Sequence, residues 1–299
     1  MKPEICLGTA QFGLPYGITN VAGQVAVPEV RAVLKMASAA GLKFLDTAQA
    51  YGDAETVLGR MLLPSHGFKI ISKLQSQSQI AFTVDDCAVW DRTFQRSLKR
   101  LRQPCLDALL LHNAGDLDKP GAQHLLEWLL SLRERGQVRR LGVSIYESSD
   151  LDRVPPELLD LVQLPLSLYD QRLLCDGTIN RLHDLGCAVH ARSLYLQGLL
   201  LSPSASWPSW VDPTDRKHHK SLEKLAADRG CNLLECALGF ARAQEDLEAV
   251  VLGVCSRREL EESLLTWHKS SPWVGSEWKQ WSLEKSEILD PRRWPQSKA

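Results

Sequence analysis

Eight short apolar runs, each followed by a stretch with another periodicity, set the tightest limit on what this chain can fold into. The runs are EICLGTA, KFLDTA, FKIISKL, LDALLLH, RRLGVSI, LDLVQLPLS, CAVHARS and EAVVLGV. Between them lie VPEVRAVLKMASAAG, AETVLGRMLL, AVWDRTFQRSLKRL, GAQHLLEWLLSLRERG, a short stretch near SSDLDRV, DGTINRLHDLG, and SLEKLAADRG with NLLECALGFARAQ. SRRELEESLLTWH follows the eighth run. Gly41, Gly136, Gly186 and Gly230 close helical stretches, where a left-handed cap suits glycine. Pro28 fits the first turn of the first long helix, where a missing N–H costs nothing.

Eight β-then-α units within 299 residues predict a single-domain (β/α)8 TIM barrel spanning residues 1–299. The rival is an open doubly wound sheet, which carries a G-x-G-x-x-G turn after its first strand. Here the early glycines are Gly8, Gly13 and Gly17, at the wrong spacing. No domain boundary is evident. The longest irregular stretch is SPSASWPSWVDPTDRKHHK, residues 202–220, after the seventh run. A second irregular segment is the Trp-rich tail from about residue 270. Seven of the nine tryptophans lie at or after Trp207, so both segments are expected to pack, and to line a pocket mouth if they serve function.

With 44% apolar residues the chain can bury a sizeable core, and its net charge of −1 offers no basic face for nucleic acid. The start, MKPEICLGTA, lacks the charged and apolar regions of a signal peptide, and no run approaches the length of a membrane span. None of the eight cysteines forms a C-x-x-C pair, which reads as reduced, mostly buried thiols in a cytoplasmic protein. His218 and His219 in RKHHK read as solvent-facing rather than as metal ligands, and no metal is expected. Oligomeric state is not legible; a monomer is the default.

Four residues carry the chemistry. Asp46, Lys73 and His112 close the second, third and fourth runs, and Tyr51 follows in the loop after the second. In a parallel barrel, reacting groups belong at these strand ends. A tyrosine there can protonate a carbonyl oxygen once another group supplies a hydride. A free phenol has a pKa of about 10, and a nearby ammonium such as that of Lys73 lowers it. Asp46 would keep Lys73 charged, and His112 would orient the carbonyl or relay the proton. Taken singly, each residue has a plain structural explanation, as a turn former, a packed ring, a solvated cation or a satisfied side chain. Asp53 and Glu55 follow Tyr51; Glu55 reads as structural, at the start of a helix.

The chain resembles the aldo-keto reductase family from LGTAQFG to SRRELEES, through FLDTAQAYG, the lysine of ISKL, LLLHN, GQVRRLGVS, VQLPLSLYDQR and ARSLYLQGLL. LGTAQFGLPYG, SLYLQGLL and ILDPRRWP are similar to a bacterial subset found near surface-polysaccharide genes. The resemblance implies an eight-stranded barrel without metal and a nicotinamide cofactor, NADPH with NADH possible. It makes Asp46, Tyr51, Lys73 and His112 the catalytic set. Gly8 and Thr9 are carried over as cofactor contacts, and Ser144 and Gln163 as holders of the nicotinamide carboxamide. Family members often have Asn after that serine, where this chain has Ile145. Arg192 stands where an aromatic residue commonly stacks on the nicotinamide, and a planar guanidinium can stack too. Ser193, Leu194 and Tyr195 would contact the pyrophosphate. The phosphate-selecting segment LGVCSRRELEES supplies Gly253, Ser256, Arg257, Glu259 and Ser263. There Glu259 would repel a 2′-phosphate, which Arg257 or Arg258 would offset.

The expected activity is reduction of a small, sugar-like aldehyde or ketone by hydride transfer, with Tyr51 as general acid. Two other readings fit the same residues. One is a nicotinamide-binding regulatory protein with little turnover; the other is redox-assisted epimerisation or elimination on a sugar, with the cofactor recycled.

Overall fold

The computed structural model describes residues 2–295, so Met1 and residues 296–299 of the Trp-rich tail lie outside the described residues. In chain order the elements are β1 (Glu4–Gly8), α1 (Ala10–Gly13), α2 (Val27–Ala39), β2 (Phe44–Asp46), α3 (Ala54–Met61), β3 (Lys69–Leu74), α4 (Val84–Leu101), β4 (Leu106–Leu111), α5 (Ala122–Glu134) and β5 (Val138–Ser144). They continue with β6 (Leu161–Pro165), α6 (Arg172–Cys175), α7 (Thr178–Asp184), β7 (Ala188–Arg192), α8 (Pro213–Asp228), α9 (Leu233–Arg242), β8 (Ala249–Gly253) and α10 (Arg257–Trp267). All eight predicted runs form parallel strands, and β1 pairs with β8 from Glu4↔Ala249 to Gly8↔Gly253, closing the barrel.

Closure follows from the side-chain pattern. Along each strand, side chains alternate between two apolar layers. Cys6, Phe44, Ile71, Ala108, Leu110, Leu161 and Ala249 form a small interior cluster. Their neighbours Leu7, Leu45, Ile70, Leu109 and Leu111 face the larger layer under the helices. With both faces buried, strands such as β4 (LDALLL) and β8 (AVVLG) read as nearly continuous apolar runs. Gly142 sits where a Cβ would come within 1.8 Å of the Leu161 carbonyl oxygen, so β5 and β6 approach closely only because that position is glycine.

The helix ends follow local chemistry. Gly41, Gly136, Gly186 and Gly230 adopt φ of +74°, +68°, +74° and +63°. Asp212 caps α8 by accepting from the Thr214 N–H at 2.7 Å, and Pro213 starts the helix.

Four sequence expectations need correction. Residues 202–220 are not irregular throughout: Ser204–Ser206 form a 3-10 turn and α8 begins at Pro213. That helix places His219 on the inward face with Leu222 and Ala226, three and seven residues on. His219 is therefore buried rather than solvent-facing. It bonds Tyr169 Oη at 2.6 Å and the Ser202 carbonyl oxygen at 2.8 Å, and stacks on Trp207 at 4.4 Å. The SSDLDRV stretch is a 3-10 helix, Ser148–Arg153, so no α-helix covers β5 before β6. Nor are the thiols mostly buried: Cys6, Cys187 and Cys236 are, whereas Cys175 is exposed and the other four are intermediate.

The tail packs, as its tryptophans predict. Trp273 Nε1 donates to the Cys236 carbonyl oxygen at 2.8 Å, and the Leu283 N–H donates to the Tyr169 carbonyl oxygen at 2.8 Å. Trp210 and Trp294 join the 202–220 stretch to the tail, their ring centroids 5.5 Å apart. Among the described residues no helix is long and apolar enough to cross a membrane.

Candidate active site

The strand pleat decides which side chains meet above the interior cluster. Two residues beyond Cys6, Phe44, Ile71, Leu110 and Leu161 stand Gly8, Asp46, Lys73, His112 and Gln163. Because the period is two, these positions face the same interior side, one layer higher. Two residues beyond Gly142 and His190 stand Ser144 and Arg192. They open into a cleft of about 800 Å³ at the C-terminal end of the barrel.

At its base Lys73 Nζ donates to both oxygens of Asp46, at 2.7 and 2.8 Å, and to the Thr47 carbonyl oxygen at 3.1 Å. Lys73 is 1% exposed and Asp46 3%, so neither charge has water to stabilise it and each depends on the other. Tyr51 Oη lies 3.4 Å from Lys73 Nζ, and the His112 ring stands edge-on to the tyrosine at 6.0 Å. Tyr51 is held there by backbone contact. Gly13 is so close to the Tyr51 carbonyl oxygen that a Cβ would approach it to 1.9 Å, and Gly52, at φ +52°, faces the Gly13 carbonyl oxygen.

Electrostatics set the protonation states. Burial pulls the Lys73 pKa down, but the Asp46 carboxylate and Tyr51 outweigh it, and the net shift is upward. Burial also pushes the Tyr51 phenol above its ordinary value, further than the charge of Lys73 brings it down. The ammonium acts in the predicted direction, yet the phenol ends up higher than a free tyrosine, because the hydroxyl is desolvated as well as cation-paired. His112 is pushed down to about 4, by burial first and then by Lys73 and Arg192. Near neutral pH the site thus holds a phenol, an ammonium–carboxylate pair and a neutral imidazole.

Further along, Gln163 Nε2 donates to Asp46 Oδ1 at 2.8 Å, while its Oε1 is buried without a partner among the described residues. An unpaired buried carbonyl oxygen is costly unless something donates to it. An amide N–H2 bound beside Ser144 would do so, and the nicotinamide carboxamide fits that need. Thr9 donates through N and Oγ1 to the Asp46 carbonyl oxygen, at 3.0 and 2.9 Å, so its hydroxyl hydrogen is committed to the backbone. Ser193 adopts φ +63°, a left-handed conformation a serine seldom takes, and turns the chain along the cleft wall with Leu194 and Tyr195.

Gly253, Glu259 and Ser263 line the far end of the cleft, together with Glu262. Ser256 and Arg257 do not line it. Ser256 caps α10, accepting from the Glu259 N–H at 3.1 Å, and Arg257 points to Glu261 at 3.9 Å. Arg258 pairs with Glu262 at 3.0 Å and is absent from the lining too. Glu259 itself accepts from the Cys255 N–H at 2.7 Å. Glu55 is buried in a structural network with Ser72, Ser97 and Arg100. Among the described residues no group of three or more His, Cys, Asp or Glu could hold a metal ion.

Tyr16, Asn20, Tyr146 and Arg292 also line the cleft and were not singled out from the sequence. Arg292 comes from the tail motif ILDPRRWP, well beyond the last strand end at Gly253, and nothing local marks it as a cleft residue.

Comparison with known proteins agrees with the barrel fold. A model of the Aldo/keto reductase family matches residues 4–281. The chain is 25% identical over 263 residues to L-galactose dehydrogenase of Arabidopsis thaliana, covering 82% of this chain and 80% of that protein. It is 26% identical over 217 residues to an aldo-keto reductase of Strobilurus tenacellus, covering 68% of this chain and 60% of that one. The fold is similar to a glycerol dehydrogenase from Gluconobacter oxydans, with a TM-score of 0.67 at 21% identity, over 92% of this chain and 89% of the other.

Proposed function

This chain belongs to the aldo/keto reductase family, and from that premise we propose that it is a nicotinamide-dependent oxidoreductase reducing the carbonyl of a sugar-like aldehyde or ketone. One observation carries the reading: the buried Lys73–Asp46 pair stands 3.4 Å from the Tyr51 hydroxyl at the base of a cleft. The name of the Arabidopsis relative supports a sugar-like substrate.

Tyr51 donates its phenolic proton to the carbonyl oxygen as the carbonyl carbon gains a hydride. Burial keeps that proton on the phenol until it is needed. As phenolate character grows, the Lys73 ammonium stabilises it, and Asp46 keeps the ammonium charged and aimed. His112, neutral, donates an N–H to the same oxygen and orients it. Bound in the cleft, a reduced nicotinamide would supply the hydride. Ser144 and Gln163 would hold its carboxamide, and Ser193, Leu194 and Tyr195 would line its pyrophosphate.

The adenosine end would reach Glu259 and Glu262. Arg257 turns toward Glu261 and Arg258 pairs with Glu262, which leaves Glu259 without a cation partner among the described residues. A 2′-phosphate would meet the Glu259 carboxylate there, whereas a free ribose hydroxyl can donate to it. This weighs against the NADPH expected from the sequence and favours NADH.

Fluorescence titration with NADH and NADPH, then absorbance of the reduced nicotinamide over an aldehyde and sugar panel, tests the reading. Tighter NADH binding with substrate-dependent oxidation is expected. Binding without oxidation would instead favour a regulatory protein, and no binding of either cofactor would end the proposal.

A further inference from the structure

Tyr146 lies between two guanidinium groups. Arg192 Cζ is 4.1 Å from the ring centroid and Arg292 Cζ is 3.6 Å from it. Two groups that close to one centroid cannot share a face, so they cover opposite faces of the ring. Arg192 comes from the end of β7 and Arg292 from the tail, and all three residues line the cleft that holds Tyr51 and His112.

The charges at this end do not cancel. Lys73 is matched by Asp46. Arg292 is matched by Asp290, which is 7% exposed and accepts from Arg292 Nε at 2.9 Å and from a terminal nitrogen at 2.8 Å. Asp150 is used by the N–H groups of Tyr146 and Glu147. Arg192 meets only neutral oxygens, Ile145 O at 3.0 Å and Ser193 Oγ at 3.2 Å, and has no carboxylate partner among the described residues. Each guanidinium carries five N–H donors, and neither set is used up by these bonds. The stack fixes both cations in place, so little side-chain freedom is lost when an anion arrives.

Resting on the reductase reading, we propose that the substrate is an anionic carbonyl compound, bearing a carboxylate or a phosphate, whose charged group is held by Arg192 and Arg292 across Tyr146. A neutral sugar would offer no charge to the Arg192–Tyr146–Arg292 stack, whereas an anionic one matches it.

The test uses three aldehydes of similar shape: 4-carboxybenzaldehyde, 4-formylphenyl phosphate and 4-formylbenzamide. Each is titrated against cofactor-loaded protein by tryptophan fluorescence, and each is assayed for cofactor oxidation. At least one anion is expected to bind about tenfold or more tighter than the amide, as a charged hydrogen bond would give. Which anion it is separates carboxylate from phosphate. The anion-to-amide ratio should collapse toward one in Arg292→Leu and in Arg192→Met. Amide binding as tight as both anions in the unmodified protein would overturn the proposal, and so would an unchanged ratio in the folded Arg292→Leu protein. Arginine-dependent anion binding with no oxidation of any aldehyde would count against the reductase reading while leaving the anion site standing. Equal oxidation of all three with equal binding would do the reverse.

Discussion

Gln163 and Asp46, 117 residues apart in sequence, share a 2.8 Å hydrogen bond from Gln163 Nε2 to Asp46 Oδ1. The same side chain leaves its Oε1 buried and unpartnered among the described residues. One amide thus touches the carboxylate that fixes Lys73 and faces the space proposed for the nicotinamide. Gln163→Leu should weaken cofactor binding about tenfold, the worth of a lost hydrogen bond or two, read by fluorescence titration. Gln163→Glu should be worse, because a second carboxylate would stand beside Asp46.

Tyr51→Phe removes the proposed proton donor and keeps the ring. Turnover should fall roughly 10²–10⁴-fold while cofactor affinity holds. Near-normal turnover in this variant, measured under saturating cofactor, would take the proton-donor role away from Tyr51.

Asp46→Asn leaves the Lys73 ammonium buried without its counter-charge. Removing one partner of such a pair costs about 3–5 kcal/mol, to be read from urea unfolding. The pH dependence should invert. In the parent protein the Lys73 pKa is raised, so its contribution is full below the ordinary lysine value and is lost as pH rises through the folded value. In the variant only Tyr51 is left to oppose burial, so that pKa should fall and stability should rise with pH in the alkaline range.

His112 has a folded pKa of about 4 against an unfolded value near 6.5. The unfolded chain therefore takes up this proton first. The contribution of His112 to stability is complete above about pH 6.5 and drains away as pH falls toward 4. His112→Gln should flatten that part of the stability profile. A parent profile with the same slope as the variant between pH 4 and 6.5 would contradict the neutral-imidazole assignment.

Gly13→Ala would drive a Cβ to 1.9 Å from the Tyr51 carbonyl oxygen. The backbone must yield, and Tyr51 moves with it. Turnover should drop while the far end of the cleft is untouched, so cofactor affinity should change little. Equal turnover in parent and variant would mean the Tyr51 loop tolerates the shift.

The sequence by itself determined the eight strands, the closed barrel and the strand ends that gather Asp46, Lys73 and His112. These rest on local signals: apolar runs bounded by turns, glycine caps, and a side-chain period of two that carries Phe44 to Asp46 and Ile71 to Lys73. Only the tertiary structure decided the rest. The helical start of α8 buried His219, and barrel closure brought Gln163 to Asp46. The tail returned Arg292 to Tyr146, and α10 paired Arg257 with Glu261 and Arg258 with Glu262. The sign of the Tyr51 shift belongs to the same class, because it is a difference between desolvation and a cation's field. Such quantities depend on what surrounds a residue from distant parts of the chain, and no spacing along the sequence encodes that sum.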